Sequence, residues 1–346
     1  MTRAELKQIF DKNVDTPIDL AVLRNQVGGL KQAGGKASDR ARIAVAAQLA
    51  HAAFLAPDQV GQVYDAVSEG WRGSPVKAAA IDTLARAPEP SPPDLWDNFW
   101  SVVEDAADGK LDALAITERT AALGGEMPDS FVARVAAMSH AYPGVTEAAA
   151  STLPAQIDLE TLAAQPAGSI GAEFHQLIVE NKFDLEVLDR NAIGLSALPT
   201  PLDYLNTRIL QAHDLWHITA GYETTSLHEI ALSAFQMAQF GHNYSAQFLA
   251  IVAAVAALSP PAGYKILMDT VNSAWAHGRE TSPMMLIPWE TEWHKSAAEI
   301  RAQYAIREYD RPYRADLIER TAPLTRLMRY LAQISAWFRR RPAPGN

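Results

Sequence analysis

Apolar residues recur at every third or fourth position in alanine-rich stretches, and this spacing constrains the fold more than any other feature of the sequence. Clear examples are the stretches 40–53, 76–85 and 99–107. Such spacing places apolar side chains on one face of an α-helix, whereas the alternation that is typical of a β-strand is scarce. We therefore predict an all-α fold, a multi-helix bundle with a helical N-terminal extension.

A proline-rich stretch at 87–94 is the strongest interruption of the helical pattern. It either links two domains or forms a tight corner, in which Ser91 caps the following helix and Pro92 is its first residue. We divide the chain here. The predicted parts are a helical N-terminal extension (1–95), an all-helical domain that binds a metal and a lipid (96–335) and a basic, flexible tail (336–346).

Charge is distributed unequally along the 346 residues, whose formal net charge is −10. Residues 301–346 contain ten Arg and four acidic residues, a net charge of +6, which leaves −16 for the first 300 residues. The acidic majority argues against a nucleic-acid partner. In the basic part, 324–341 has apolar and aromatic residues at helical spacing beside arginines. Such a helix either lies on an anionic membrane surface or packs on the core with a solvated end.

The sequence shows no targeting signal and no membrane span. Charged residues occur within the first eight positions, and the most apolar run, 248–258, is much shorter than the roughly 20 residues that cross a bilayer. We therefore expect a cytoplasmic protein, located at the periphery of the inner membrane if it binds one.

The segment 205–232 carries the residues that are most suited to chemistry. His213 and His217 are four residues apart, so their imidazoles lie one turn apart on the same face of a helix. Gly221 is the kind of residue that ends a helix. A second helix is predicted from Ser226 to about Leu258, antiparallel to the first because the connection has only about five residues.

Glu229 lies in the first turn of this second helix and comes near the two histidines if the helices pack directly. The chain contains no cysteine, so a metal must be bound by His, Asp or Glu. Together with Asp214, these residues suit Zn²⁺, Fe²⁺, Mn²⁺ or Co²⁺. In the alternative interpretation, Glu229 forms a capping box with Ser226, and Asp214 only holds a histidine ring N–H. The apolar flanks favour the metal site, because burying these polar groups without a ligand is costly.

The pattern His-Asp-x2-His-x11-Glu resembles the signature of the ubiquinone (coenzyme Q) biosynthesis proteins of the Coq-four family. Three further segments occur in the order and spacing of the same family. They are Pro-Ala-Gly-Ser-Ile-Gly-Ala-Glu-Phe at 166–174, Ser-Ala-Trp-Ala-His-Gly-Arg at 273–279 and Trp-Glu-Thr-Glu-Trp at 289–293. The resemblance extends over about 105–310 and does not cover the first 95 residues.

This resemblance implies an all-helical peripheral membrane protein that acts on a polyprenylated quinone precursor with other ubiquinone biosynthesis proteins. A divalent metal would be bound by His213, Asp214, His217 and Glu229. The implied reaction is oxidative decarboxylation at C1 of a 4-hydroxybenzoate-type head group. The family resemblance also allows a non-catalytic, lipid-binding scaffold that organises the biosynthetic enzymes. A metal-dependent hydrolase is a third class, although its more widely separated ligands are not evident.

Further residues are candidates for contact with this substrate. Asp214 would bind the metal or accept a proton, and Arg279 would either bind the substrate carboxylate or simply end a helix favourably. A polyprenyl tail requires an apolar cleft. Phe235, Phe240 and Phe248 either line such a cleft or simply belong to the hydrophobic core. Two residues would contact the head group, namely Glu290 and Trp293. The sequence does not determine the metal, the tail length or the oligomeric state, for which a homodimer is one option.

Overall fold

The computed structural model describes residues 1–77, 86–111, 113–181, 185, 190 and 194–321. These residues form α-helices and short 3-10 turns and no β-strand, which confirms the all-α prediction. The first nine helices are α1 (Arg3–Val14), α2 (Leu20–Ala33), α3 (Asp39–Leu55), α4 (Val60–Arg72), α5 (Leu95–Ala107), α6 (Ala113–Gly125), α7 (Asp129–Ser139), α8 (Val145–Ala149) and α9 (Leu159–Ala163). The others are α10 (Ile170–Asn181), α11 (Leu202–Ala220), α12 (Ser226–Phe240), α13 (Asn243–Ala257), α14 (Pro261–Glu280), α15 (Trp289–Glu292), α16 (Ala297–Tyr304) and α17 (Leu317–Thr321).

The proline-rich stretch is held against two helices. The backbone N–H of Glu89 donates to the carbonyl of Leu55 at 2.8 Å, and its carboxylate accepts a hydrogen bond from Arg134 on α7 at 3.2 Å. The prediction that Ser91 caps the next helix is wrong, because α5 begins after Asp94, whose side chain makes no capping hydrogen bond. The division of the chain near residue 95 stays a prediction.

The helices before and after this stretch share one hydrophobic core. The ring of Phe10 on α1 stacks on that of Phe99 on α5, with 5.1 Å between centroids. Phe54 on α3 meets Phe99 edge-on at 5.8 Å. Helix α3 packs against α13, and α4 packs against α14. The first 77 residues therefore cover a face of the helices that follow the candidate site.

The sequence predicted one helix from Ser226 to about Leu258, and this prediction is wrong. The structure has two helices, α12 and α13, separated at Gly241, whose φ of 65° lies in the left-handed region that favours glycine. A Cβ atom at Gly241 would lie 2.3 Å from the ring of Tyr142. Helix α12 therefore ends at a residue whose backbone lies too close to the ring of Tyr142 for any side chain.

Helices α12 and α14 lie in close contact at Gly278. A Cβ atom there would lie 2.7 Å from Cβ of Ala238 and 2.8 Å from the carbonyl oxygen of Phe235. On the other side of α14, Asp65 of α4 accepts hydrogen bonds from Trp275 Nε1 at 2.8 Å and from Arg279 Nε at 3.0 Å. The position of α12 thus depends on α14, which is in turn bound to the N-terminal helices.

No helix within the described ranges combines the length and apolar character needed to cross a membrane. The predicted amphipathic segment 324–341 and the predicted tail 336–346 lie outside the described residues.

Replacing Asp65 tests how strongly α4 holds α14. Asp65→Ala leaves the guanidinium of Arg279, which is buried, without its carboxylate partner, and breaking a buried pair in this way costs about 3–5 kcal/mol. We expect the free energy of unfolding to fall by about this amount in urea denaturation. Asp316→Ala, which removes an exposed pair with Arg314, should cost at most about 1 kcal/mol. Equal losses in the two variants would contradict this interpretation.

Candidate metal centre

A short turn between two helices positions the candidate site. Helix α11 ends at Gly221, whose φ is 78° and whose N–H bonds to the carbonyl of His217, as the sequence predicted. Helix α12 begins at Ser226, also as predicted. The turn is short enough to return the first residues of α12 to the last two turns of α11. Glu229 therefore lies next to His213 and His217.

Three side chains converge on one point between these helices. The Nε2 atoms of His213 and His217 are 3.4 Å apart. The carboxylate of Glu229 lies 3.3 Å from Nε2 of His213, through Oε2, and 3.4 Å from Nε2 of His217, through Oε1. Zinc–nitrogen bonds of about 2.0–2.1 Å place neighbouring ligands of a tetrahedral ion about 3.3–3.4 Å apart. The donor atoms and their separations therefore fit a divalent metal ion.

Asp214 lies at the edge of this site. One ligand atom from each of His213, Asp214 and His217 lies within 4.8 Å of the others. His213 and Asp214 are half-buried, whereas His217 and Glu229 are buried. The site is consequently accessible from the side of His213 and Asp214 and closed on the side of the other two residues.

The second ring nitrogen of each histidine is also engaged. His217 Nδ1 donates to the carbonyl oxygen of Tyr222 at 3.1 Å, which directs its Nε2 towards the centre. His213 Nδ1 lies 2.7 Å from the side-chain nitrogen of Gln236 on α12. His217 makes the ring N–H donation that fixes the orientation of histidines that bind metals, whereas at His213 a side-chain nitrogen faces Nδ1.

The alternative role for Glu229, in a capping box with Ser226, is wrong. The backbone N–H and the hydroxyl of Ser226 both donate to Oε1 of Glu319, each at 3.0 Å. A carboxylate from α17 therefore satisfies the start of α12, and the carboxylate of Glu229 faces the histidines instead.

The electrostatics of the site are those of a buried ion pair. Burial alone would raise the pKa of Glu229, but the charge of His217 and hydrogen bonds from both histidines lower it to about 2. Burial alone would lower the pKa of His217, but the carboxylate of Glu229 outweighs this effect and raises it. A divalent cation would take the place of the histidine protons opposite this carboxylate.

Arg279 has its partners outside this site. Its guanidinium donates to both carboxylate oxygens of Asp65, at 3.0 and 3.1 Å, and lies 4.5 Å from the centre of a Trp275 ring. It also donates to the carbonyl of Ala238 at 3.3 Å. None of these partners belongs to the candidate metal centre. The role of Arg279 in binding a substrate carboxylate stays a prediction.

The three phenylalanines predicted to contact a lipid are packed in the core. Phe240 lies 4.9 Å from Trp216 and Phe235 lies 5.5 Å from Tyr222, measured between ring centroids. Phe248 is 8% exposed. A prenyl tail would reach these rings only if the surrounding helices separated. Their role in lipid binding stays a prediction.

The remaining two candidates are Glu290 and Trp293, in the segment 289–293. Trp293 contacts the segment 166–174, which also resembles the family. Trp293 stacks on Phe174 with 6.3 Å between ring centroids, and its carbonyl accepts a hydrogen bond from Gly171 at 3.0 Å. A Cβ atom at Gly171 would lie 3.0 Å from that carbonyl oxygen, so the close approach favours glycine. Glu290 is exposed and accepts a hydrogen bond from Arg208 at 2.7 Å. Contact of Glu290 and Trp293 with a head group stays a prediction.

Gln236 and Glu319 were not among the residues predicted for the site. Gln236 follows Glu229 by seven residues, which places both on one face of a helix, so helical spacing alone could have found it. Glu319 is distant in sequence from α12 and contacts it only in the folded chain. No local sequence pattern predicts this contact.

The fold is all-α, and two imidazoles and a carboxylate converge between two of its helices. The model of the family "Coenzyme Q (ubiquinone) biosynthesis protein Coq4" matches residues 151–310. The match to this family model confirms the resemblance seen in the sequence. The match includes the histidine motif and all three of the other segments, and it leaves out 105–150.

Similar proteins are known from animals and from a cyanobacterium. The mitochondrial COQ4 homologue of Drosophila ananassae is 27% identical over 151 residues, which are 43% of this chain and 54% of that protein. The homologue of Danio rerio is 27% identical over 154 residues, 44% and 54% of the two chains. The chain thus spans about half the length of the curated relatives it matches. The crystal structure of a candidate ubiquinone biosynthesis protein from Nostoc punctiforme superposes on this chain with a TM-score of 0.43 and 20% sequence identity. The superposed part is 61% of this chain and 96% of the Nostoc punctiforme chain.

The pH dependence of stability tests the ion pair in metal-free protein. The lowered pKa of Glu229 stabilises the fold above the ordinary value of 4.5, and this contribution is lost as the pH falls to about 2. The raised pKa of His217 stabilises the fold below the ordinary value of 6.5 and is lost as the pH rises through the raised value. The loss of unfolding free energy in Glu229→Gln should therefore be largest between about pH 4.5 and 6.5.

Urea denaturation in the presence of a chelator, from about pH 3 to 9, measures this profile. Glu147→Gln, at an exposed position, is the control and should show little change at any pH. A loss in Glu229→Gln that is the same at every pH would contradict the pairing.

Proposed function

We propose that this chain acts in ubiquinone biosynthesis as a metal-dependent enzyme. Its substrate would be a polyprenylated 4-hydroxybenzoate-type acid, whose carboxylate at C1 is replaced by a hydroxyl group. The observation that carries the proposal is the convergence of His213, His217 and Glu229, at 3.3–3.4 Å, inside the part of the chain that matches the Coq4 family.

The metal would be bound by His213, His217 and Glu229, with Asp214 as a further ligand or as a proton acceptor. A divalent ion at this position, with Zn, Fe, Mn and Co as the candidates, supplies a Lewis acid that stabilises the negative charge that develops as CO₂ leaves. The net reaction consumes the aromatic acid, dioxygen and water and yields the phenol, CO₂ and hydrogen peroxide. The aromatic acid loses two electrons, and we propose dioxygen as the oxidant that takes them.

The residues of the site differ in burial, and we assign them different roles on that basis. His217 and Glu229 lie on the closed side, where each is only 4% exposed, and they balance each other's charge. Asp214 lies on the accessible side, where it can accept the proton of the ring hydroxyl. The head group would therefore enter past His213 and Asp214.

The substrate also bears on where the protein acts. A polyprenyl tail resides in a membrane, so we propose that the chain binds peripherally to a membrane surface and works beside other ubiquinone biosynthesis proteins. The alternative is a non-catalytic scaffold, which would bind the same lipid without depending on the metal ligands.

Removal of the histidines tests the enzymatic proposal. His213→Ala and His217→Ala should each abolish stoichiometric metal binding, measured by elemental analysis, because each removes one of three converging donors. Both variants should also lose the release of CO₂ from a prenylated 4-hydroxybenzoate. His294→Ala, at an exposed position distant in sequence from the motif, is the control and should keep both properties.

The outcomes separate the alternatives. Metal-free His217→Ala that still releases CO₂ would refute the metal-dependent reaction. Wild-type protein that binds the prenylated acid and its partner enzymes but never releases CO₂, with or without metal, would favour the scaffold.

A further inference from the structure

Gln236 is a buried residue that contacts His213, a ligand of the candidate metal centre, and it has no role in the proposal above. It lies on α12, two turns after Glu229, with 3% of its surface exposed. Its side-chain nitrogen is 2.7 Å from Nδ1 of His213, the ring nitrogen that points away from the centre. Gln236 therefore contacts a candidate ligand directly from behind.

Two further residues extend this contact to the start of α13. The side-chain oxygen of Gln236 accepts a hydrogen bond from the hydroxyl of Ser245 at 3.4 Å. The same hydroxyl oxygen lies 2.9 Å from Nδ1 of His242. We call this series, Gln236, Ser245 and His242, the amide relay. It begins at a candidate ligand and ends at a histidine that takes no part in the centre.

The first arrangement of protons in the relay follows from the orientation of the Gln236 amide in the structure. The amide nitrogen of Gln236 donates to Nδ1 of His213, so His213 carries its proton on Nε2, facing Glu229. Ser245 donates to the amide oxygen and accepts from His242, which then carries its proton on Nδ1. In this arrangement Nε2 of His213 has no lone pair for a metal.

A second arrangement satisfies the same atoms after the amide of Gln236 rotates by half a turn. The amide oxygen then accepts from Nδ1–H of His213, whose Nε2 presents its lone pair to the centre. The amide nitrogen donates to Ser245, whose hydroxyl donates to Nδ1 of His242. His242 therefore carries its proton on Nε2. Each of the three contacts in the relay again joins one donor to one acceptor, so the relay fits both states of His213.

We propose that Gln236 is a positioning residue for His213 and that the hydrogen bonds of the amide relay reverse their direction when a divalent ion binds. This inference rests on the proposed metal site. It adds a residue that sets the tautomer of a ligand, and it predicts a change at His242, which the ion does not touch.

Metal affinity tests the positioning role, with Zn²⁺ as the probe and a coloured chelator as the competitor. Gln236→Leu removes the acceptor for Nδ1–H and should weaken binding about 10- to 100-fold. Gln236→Glu restores an acceptor and should bind Zn²⁺ as tightly as the wild type or more tightly. Gln247→Leu is the matched control on α13, because it removes a buried amide that packs against Gly124, and it should leave the affinity unchanged.

The protonation of the histidine rings tests the relay itself. Nitrogen-15 NMR distinguishes protonated from unprotonated ring nitrogens, and the signals of the His242 ring are assigned by their absence in His242→Gln. On addition of Zn²⁺ to the wild type, the proton of His242 should move from Nδ1 to Nε2. In Gln236→Leu, His242 should show no such change even at saturating Zn²⁺.

The results separate this inference from the proposed function. If the wild type binds no Zn²⁺ and His213→Ala behaves identically, the metal site itself is refuted. If the wild type binds Zn²⁺ through His213 while Gln236→Leu binds equally well, only the positioning role is overturned. A His242 ring that keeps its proton on Nδ1 in the Zn²⁺-loaded protein would overturn the reversal of the relay.

Discussion

The carboxylate of Glu229 is buried between the imidazoles of His213 and His217, and the candidate site depends on this contact. A buried carboxylate is costly unless charged and hydrogen-bonding groups surround it, so the two helices that carry these residues must stay in fixed register. The fold secures the turn between them from outside. The N–H of Tyr309 donates to the carbonyl of Ala220 at 2.9 Å, and the hydroxyl of Thr225 donates to the carbonyl of Ala315 at 2.9 Å. The segment after α16 is thus hydrogen-bonded to both ends of the turn between α11 and α12.

The first 77 residues support the same contact from farther away. Helix α12 carries Glu229 and lies against α14 at Gly278, where no side chain fits. Helix α14 is bound in turn to α4 through Asp65, which accepts hydrogen bonds from Trp275 and Arg279. The N-terminal helices lie outside the family match, yet they hold the helix that positions a candidate ligand. They therefore support the site through packing and hydrogen bonds.

Local patterns predicted the parts of the site that depend on helical spacing. The four-residue interval placed His213 and His217 on one face, and Gly221 ended α11 as expected. The break at Gly241 was not predicted, because its cause is the ring of Tyr142, about 100 residues earlier in the chain. The capping of Ser226 by Glu319 escaped prediction for the same reason. Contacts between residues that are distant in sequence carry no local signature.

Anomalous X-ray diffraction from crystals of the Zn²⁺-loaded protein would show whether a metal lies between these three side chains. We predict one strong anomalous peak within bonding distance of Nε2 of His213, Nε2 of His217 and the carboxylate of Glu229. Crystals that bind Zn²⁺ only at other places, with the histidines still hydrogen-bonded to Glu229, would contradict it.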